Sequence, residues 1–202
     1  MSGTAAVLII EGMHKSFAFL AAPLLITAYG LIRVLDGLDG ERGPGPAWTT
    51  GHLAFLLALL LFVPVLREMR RLTGGRALAT ATLGIALVGV TCSLAQVSID
   101  LVIGLLAADH DDMRRMFTDV HNLPGMDIAV YEAGPVLFFL GLLVLACHLA
   151  AARAVPVWRA AAVSLAVLVA PIDLDLLPAV GLLLLVGLAP FPRGARPAAA
   201  RS

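Results

Sequence analysis

Long uncharged apolar runs, separated by short polar segments, make up most of the chain. As a helix that rises about 1.5 Å per residue, each long run can cross roughly 30 Å of hydrocarbon. Four such runs extend over Ser16–Ile32, Trp48–Leu66, Ala77–Ile99 and Ala133–Ala152. The pattern therefore predicts a bundle of membrane-spanning helices with almost no soluble part.

A fifth apolar region, Ala160–Pro192, is too long for one ordinary span. It is interrupted between Pro171 and Pro178, a segment that also holds Asp173 and Asp175. Two carboxylates flanked by prolines are costly at the middle of a bilayer, so we expect a surface turn that joins two helices. A single kinked helix is the alternative. The predicted fold class is an all-α, polytopic membrane bundle of six, alternatively five, transmembrane helices.

Residues 1–192 are predicted to form one transmembrane bundle. The predicted spans cover residues 16–34, 48–66, 77–100, 128–152, 155–172 and 175–191. The Pro-Arg-Gly-Ala-Arg-Pro segment that follows is typical of a disordered tail, which we place at residues 193–202.

The positions of the 14 Lys and Arg residues predict the orientation. In the six-span arrangement, ten fall on one side, at positions 15, 67, 70, 71, 76, 153, 159, 193, 196 and 201, and four on the other, at positions 33, 42, 114 and 115. Cytoplasmic loops carry an excess of Lys and Arg. We therefore expect a multi-pass protein of the cell membrane, with both termini in the cytoplasm and an acidic outer surface.

The composition excludes several classes of protein. The chain is 60% hydrophobic and 14% charged, and its mean hydropathy is +0.95, which does not describe a water-soluble globule. No basic stripe suits nucleic acid, so the expected partner is the lipid bilayer. Cys92 and Cys147 lie inside apolar runs and are interpreted as small buried hydrophobic residues. No oligomeric state is predicted.

Polar residues inside the apolar runs are the candidates for function, because an ionisable group in a membrane is costly without a partner. Gly89, Ser93, Gln96 and Asp100 follow the spacing of one helical face, so this stripe is predicted to face the bundle.

The other candidates come from the remaining long runs. Asp127 and Tyr131 are spaced as i,i+4 partners, and Glu132 is interpreted as the deepest acid of its run. His52 lies just after Trp48 at the start of one helix, and Tyr29 and Arg33 end another, which predicts that these groups converge at the acidic end of the bundle. Two interpretations remain: hydrogen bonds that hold helices together, with interfacial aromatic residues, or a functional site.

No metal site and no cofactor are expected. The five histidines, at positions 14, 52, 110, 121 and 148, are scattered. The chain has no Cys-x-x-Cys and no His-Glu-x-x-His motif.

The segment Asp109-His110-Asp111-Asp112 fits the Asp-x-Asp-Asp acid motif of class II terpene cyclases, whose central Asp protonates an olefin, although it also fits a solvated loop. As a compact helical bundle with intramembrane carboxyl groups and no metal motif, the chain resembles small membrane-bound terpene cyclases of bacterial, actinobacterial-type biosynthetic clusters. The resemblance covers the general layout and assigns no role to any residue.

The resemblance implies an enzyme that acts on a hydrophobic, prenylated small molecule. A neutral carboxylic acid would protonate its olefin, and aromatic faces would stabilise the carbocation. No diphosphate leaves, so no Mg²⁺ is needed. The candidate acids are Glu132, Asp127 and Asp100, and the groups that orient the acid or take the final proton are Gln96, Tyr131 and His52. The candidate substrate-binding residues are Trp48, Phe138, Phe139 and Ser93.

Two other classes of protein remain open. The chain is similar in size and in predicted topology to the six-span binding components of vitamin uptake systems, which would make it a small transporter or a substrate-binding membrane subunit. Those components dock through an Ala-x-x-x-Ala face on their first helix, which Ala18, Ala21, Ala22 and Ala28 do not clearly supply. The third possibility is a structural membrane accessory protein.

Overall fold

The computed structural model describes residues 3–38 and 40–189, and it describes side chains from Ser16 onward. Every regular element in these ranges is helical, which confirms the predicted all-α class. The helices are α1 (Gly3–Asp36), α2 (Pro46–Leu72), α3 (Ala77–Leu106), α4 (His110–His121), α5 (Ala133–Ala151), α6 (Val157–Val169) and α7 (Leu177–Leu188). A π-helical turn, Asp127–Glu132, leads into α5, and a 3₁₀ turn, Leu174–Leu176, leads into α7. The predicted tail, residues 193–202, lies outside the described residues.

Four helical segments are long and apolar enough to cross a membrane, which agrees with the four long runs in the sequence. They are Ser16–Asp36, Pro46–Leu72, Ala77–Leu106 and Asp127–Ala151. The helices α6 and α7 are equally apolar but shorter, with 13 and 12 residues.

The chain turns back between α6 and α7, as predicted from Pro171 to Pro178. The Asp173 carboxylate accepts a hydrogen bond from the Asp175 backbone N–H at 2.8 Å and so begins the 3₁₀ turn. Both carboxyl groups are exposed there. Pro178 lies in the first turn of α7, where its missing N–H leaves no helical bond unmade. The alternative of one kinked helix is therefore wrong.

Six helices, all except α4, form a closed ring. Around this ring α1 packs on α2, α2 on α3, α3 on α5, α5 on α6, α6 on α7, and α7 on α1. Short connections join α2 to α3 and α5 to α6 at one end of the bundle. The α1–α2 loop, the helix α4 and the α6–α7 turn lie at the other end, called the acidic end below. The polar cluster described below lies at this acidic end.

Small residues let the ring close tightly. A Cβ on Gly89 of α3 would lie 2.2 Å from the Phe138 backbone nitrogen of α5, and one on Gly141 would lie 2.5 Å from the Ala86 Cβ. On the opposite side, a Cβ on Gly181 of α7 would lie 2.6 Å from the Thr27 backbone nitrogen. Close backbone approach of this kind is the main source of packing energy between membrane helices.

Helix α4 was not predicted, and it occupies the segment interpreted as a solvated loop or an acid motif. The Asp109 carboxylate accepts from the Asp112 backbone N–H at 2.8 Å, and the Asp112 carboxylate accepts from the Ala108 backbone N–H at 3.1 Å. Asp109 is thus the N-cap residue of α4, and Asp112 also binds the backbone just before it, as at a helix N-terminus. The loop interpretation is therefore wrong: the two outer aspartates begin a helix.

Candidate functional site

The ends of four helical segments meet at the acidic end of the bundle and bring polar side chains together. Tyr29 comes from the last turns of α1, His52 from the first turns of α2, Asp100 from the last turns of α3, and Tyr131 from the π-helical turn. We call these four residues the Asp100 cluster. The structure thus brings Tyr29 and His52, for which the sequence predicted convergence, together with Asp100 and Tyr131.

The Asp100 carboxyl group is the buried centre of the cluster. The residue is 8% exposed, and the Tyr131 hydroxyl donates to its Oδ1 at 3.1 Å. Its Oδ2 faces the His52 Nε2 at 3.9 Å, which is beyond hydrogen-bond distance. Asp100 therefore lies between the Tyr131 hydroxyl, which donates to it, and the His52 imidazole, which lies beyond hydrogen-bond distance.

The orientation of His52 follows from its backbone contact. The ring is 6% exposed, and its Nδ1 lies 2.8 Å from the Trp48 carbonyl oxygen one turn earlier. A carbonyl oxygen only accepts, so Nδ1 carries hydrogen, and in a neutral ring the lone pair lies on Nε2. The nitrogen that faces Asp100 is thus the one able to accept a proton.

Trp48 joins α2 to α3 beside the cluster. Its indole stacks on the His52 ring with centroids 4.1 Å apart, and its Nε1–H donates to the Asp100 carbonyl oxygen at 2.9 Å. The indole lies directly over Gly104, where a Cβ would come within 2.3 Å of it. A side chain at position 104 would therefore displace the group that positions both His52 and Asp100.

Aromatic rings surround the polar groups. Tyr29 meets the His52 ring edge-on at 5.4 Å and stacks on Phe55 at 4.8 Å. Phe117 of α4 lies 6.0 Å from the Trp48 ring. The cluster is therefore enclosed by aromatic faces, and α4 covers part of it.

The helix α4 also ends next to the cluster. The His121 ring lies 4.4 Å from the Tyr131 ring, and its Nδ1 pairs with the Asp127 carboxylate. The His121 side chain is 38% exposed and that of Asp127 is 51% exposed. This pair connects the cluster to the surface. His121 was not predicted as a site residue, because it lies in a polar segment where a histidine is unremarkable.

A second polar group ties two connections together at the same end. Asp175 binds the Arg42 guanidinium through both oxygens, at 2.8 and 2.9 Å, and lies 3.5 Å from the Arg33 Nε. A recess of about 10 Å³, room for about one water molecule, lies between these arginines and the cluster and is lined in part by Tyr29 and His52.

The prediction that Glu132 is a deeply placed acid is wrong, because its side chain is exposed. Asp127 is also exposed and pairs with His121 rather than with Tyr131. Both lie in the π-helical turn, where a wider turn replaces the i,i+4 spacing on which the prediction relied. Within this turn, Tyr131 is the residue that reaches the buried carboxyl group.

The remaining predicted site residues lie deeper in the bundle than the Asp100 cluster. Ser93 is buried where α3 meets Gly134 of α5. Phe138 is buried against Phe62 at 5.0 Å, and Phe139 lies at the same distance from Phe138. These contacts are typical of helix packing.

Gln96 lies one turn of α3 from Asp100 and is half-buried. Its Oε1 is buried without a hydrogen-bond partner among the described residues. The structure thus places Gln96 between the cluster and the packed interior, on the predicted stripe.

The Asp-x-Asp-Asp segment is poorly suited to protonating an olefin. Its central residue, Asp111, is 79% exposed and pairs with Arg114. The Ala108 backbone N–H holds the pKa of the Asp112 carboxyl below its usual range, so that group is kept ionised. Acid chemistry is therefore better sought at Asp100.

Among the described residues, no group of three or more His, Cys, Asp or Glu side chains is arranged to hold a metal ion.

Comparison with known proteins found no match: no protein-family model, no curated protein and no solved structure corresponds to the chain.

Proposed function

We propose that the chain is an integral membrane enzyme that cyclises a lipophilic, prenylated small molecule by protonating an olefin. The observation that carries this proposal is the buried Asp100 carboxyl group, which the Tyr131 hydroxyl holds at 3.1 Å while the proton-accepting nitrogen of His52 faces it at 3.9 Å. A held acid opposite a base is the pair that an acid-initiated isomerisation needs.

The reaction conserves all atoms of the substrate. The O–H bond of protonated Asp100 breaks, its proton forms a new C–H bond with one olefin carbon, and the other carbon becomes cationic. A second double bond attacks this cation and closes a ring. Loss of a proton from a neighbouring carbon to the His52 Nε2 then restores a double bond. No oxidant and no leaving group are required.

The surroundings of Asp100 suit a carbocation. The Trp48 and Tyr29 rings lie next to His52, and electron-rich aromatic rings attract positive charge. Phe117 covers the Trp48 side of the cluster, which limits access of water to the cation. Phe138 and Phe139, predicted as substrate-binding residues, lie deeper in the bundle and are not part of this group.

The proposed setting is the cell membrane, crossed six times with both termini in the cytoplasm. The four long apolar helices and the hairpin of α6 and α7 support this arrangement. Arginines 67, 70, 71, 76 and 153 at the end opposite the cluster support the orientation. The cluster then lies at the outer end of the bundle, where a lipophilic substrate can enter from the bilayer.

Turnover in membrane preparations tests the proposal, with prenylated phenols as probe substrates. Asp100→Asn removes the acid and keeps its shape, and we expect it to lower cyclisation by at least about 100-fold, a typical contribution of a positioned general acid. The matched control is Glu132→Gln, which neutralises an exposed acid of the adjoining helix and should leave turnover within about twofold, as for surface substitutions. Equal rates in wild type and Asp100→Asn would overturn the proposal.

The vitamin-uptake alternative is disfavoured by the first helix. Ala18 and Ala22, which have the spacing of a docking face, are 2% and 0% exposed inside the bundle. A partner subunit does not reach them without opening the ring. The accessory-protein alternative predicts that Asp100→Asn changes folding alone.

A further inference from the structure

A chain of contacts runs from the Asp100 carboxyl group to the surface. The Tyr131 hydroxyl is the only hydrogen-bond donor to the carboxyl oxygens among the described residues, at 3.1 Å. The Tyr131 ring packs on the His121 ring with centroids 4.4 Å apart, and His121 pairs with Asp127. The chain thus begins at a residue that is 8% exposed and ends at a side chain that is 51% exposed.

A proton-donating carboxyl group must be reprotonated after each use. On the His52 side, Nε2 lies 3.9 Å from the carboxyl group, beyond hydrogen-bond distance, whereas the Tyr131 hydroxyl is hydrogen-bonded to it. The His121 side has the needed groups: a phenol bonded to the carboxyl group, an imidazole against the phenol, and a carboxylate in water. Histidine is the side chain that most readily gains and loses a proton near neutral pH.

We propose that His121, paired with Asp127, is the proton-transfer group through which Asp100 exchanges its proton with water. When Asp100 is ionised, it takes the proton of the Tyr131 hydroxyl. A proton from His121 then replaces the one that the Tyr131 hydroxyl lost. His121 in turn takes a proton from water beside Asp127. Each intermediate group loses one proton and gains one, so only Asp100 changes its protonation state.

The groups that face His121 are consistent with this role. Asp127 and Tyr131 face it from the π-helical turn, Phe117 packs against it from α4, and Asp100 of α3 is close enough to interact with it electrostatically. His121 pairs with Asp127 through Nδ1, so its second ring nitrogen, Nε2, is the one left for transfer. His121 touches no proposed substrate position, so it acts on Asp100 through Tyr131.

The inference rests on the proposed function only in treating Asp100 as a proton donor, and its test requires no substrate. The measurement is the rate at which the Asp100 carboxyl group exchanges hydrogen for deuterium, read from its infrared carbonyl band in purified protein in lipid nanodiscs. The band is identified by its loss in Asp100→Asn. We expect His121→Gln to slow exchange by at least about tenfold, at the low end of what a positioned proton-transfer group contributes.

The matched control is His110→Gln. His110 lies at the other end of α4, is 42% exposed, and lies 3.7 Å from a carboxylate oxygen of Glu41. Its replacement should leave the exchange rate unchanged. Tyr131→Phe should slow exchange as His121→Gln does, and added imidazole should restore exchange in His121→Ala, which a structural role of His121 would not explain.

Several results overturn the inference. One is an exchange rate of the Asp100 carboxyl group in His121→Gln that equals the rate in wild type. Another is equal slowing in His110→Gln, which would indicate that α4 only shields the cluster. A spectrum without an Asp100-dependent carbonyl band at any pH where the protein stays folded also contradicts it. If Asp100→Asn keeps full turnover while His121→Gln slows exchange, His121 is the proton-transfer group of Asp100 and the proposed function is wrong.

Discussion

Asp100 is held by three neighbours, of which Trp48 and His52 also contact each other. The Tyr131 hydroxyl bonds its side chain, the Trp48 indole bonds its carbonyl oxygen, and the His52 ring faces its second carboxyl oxygen. These neighbours come from two different segments of chain, so the carboxyl group is fixed by the packing of helices rather than by local sequence. A proton-donating acid requires a position that is held in this way.

Gly104 provides a test of this positioning. Gly104→Ala places a methyl group within 2.3 Å of the Trp48 indole, so the ring must move away from Asp100. We expect a loss of about 1–3 kcal/mol in the free energy of unfolding, typical of overpacking, and a shift of Trp48 fluorescence to longer wavelength. The fluorescence is measured in a Trp158→Phe background, which leaves Trp48 as the one tryptophan.

The control for this prediction is Gly84→Ala in the same helix. A Cβ at Gly84 meets no atom within 4 Å. That substitution should leave the fluorescence unchanged and stabilise the helix by up to about 1 kcal/mol. If the two variants behave alike, the indole does not depend on Gly104.

At the scale of single elements, the sequence predicted the structure where one pattern dominated. The long apolar runs predicted α1, α2, α3 and α5, because an uncharged run of that length has few other stable structures. The prolines and aspartates near Pro171 predicted the turn between α6 and α7 for a steric and electrostatic reason.

Elements without such a pattern were missed. Helix α4 has 12 residues, and its first turn is rich in acidic residues, which also suits a loop. Asp109 was the available signal, since Asp is a preferred N-cap residue and acidic residues are frequent in the first turn of a helix. The π-helical turn left no signal in the sequence, and it accounts for the wrong placement of Glu132.

The same reasoning separates the site residues. Asp100, His52 and Tyr131 were predicted because polar groups inside apolar runs need partners. His121 was not, because its segment is polar and only the fold brings it against Tyr131. Phe138 is a core residue, a role that an apolar run does not distinguish from a role in substrate binding.

On the scale of the whole molecule, the closed ring of helices places the acidic end and the arginine-rich end on opposite sides. A chain with an even number of crossings has both termini on the arginine-rich side. The six-span arrangement is therefore tested by which end faces the cytoplasm.

Labelling of single cysteines in intact cells measures this orientation. In a chain with Cys92 and Cys147 replaced by serine, Arg76→Cys lies at the α2–α3 connection and Thr118→Cys lies on α4, both at exposed positions. A membrane-impermeant maleimide should label Thr118→Cys and should label Arg76→Cys only after the cells are opened. The reverse pattern contradicts the orientation, and labelling of both in intact cells contradicts a spanning bundle between them.

The origin of the added hydrogen tests the central claim, that Asp100 protonates an olefin, most directly. Wild-type membranes are incubated in D₂O with a prenylated phenol that is cyclised. We expect one deuterium on a carbon of each product molecule, delivered by the Asp100 carboxyl group. Asp100→Asn should form almost no labelled product, whereas Glu132→Gln should form it as wild type does. A cyclised product that carries no deuterium, or an equally labelled product from Asp100→Asn, would show that Asp100 does not protonate the olefin.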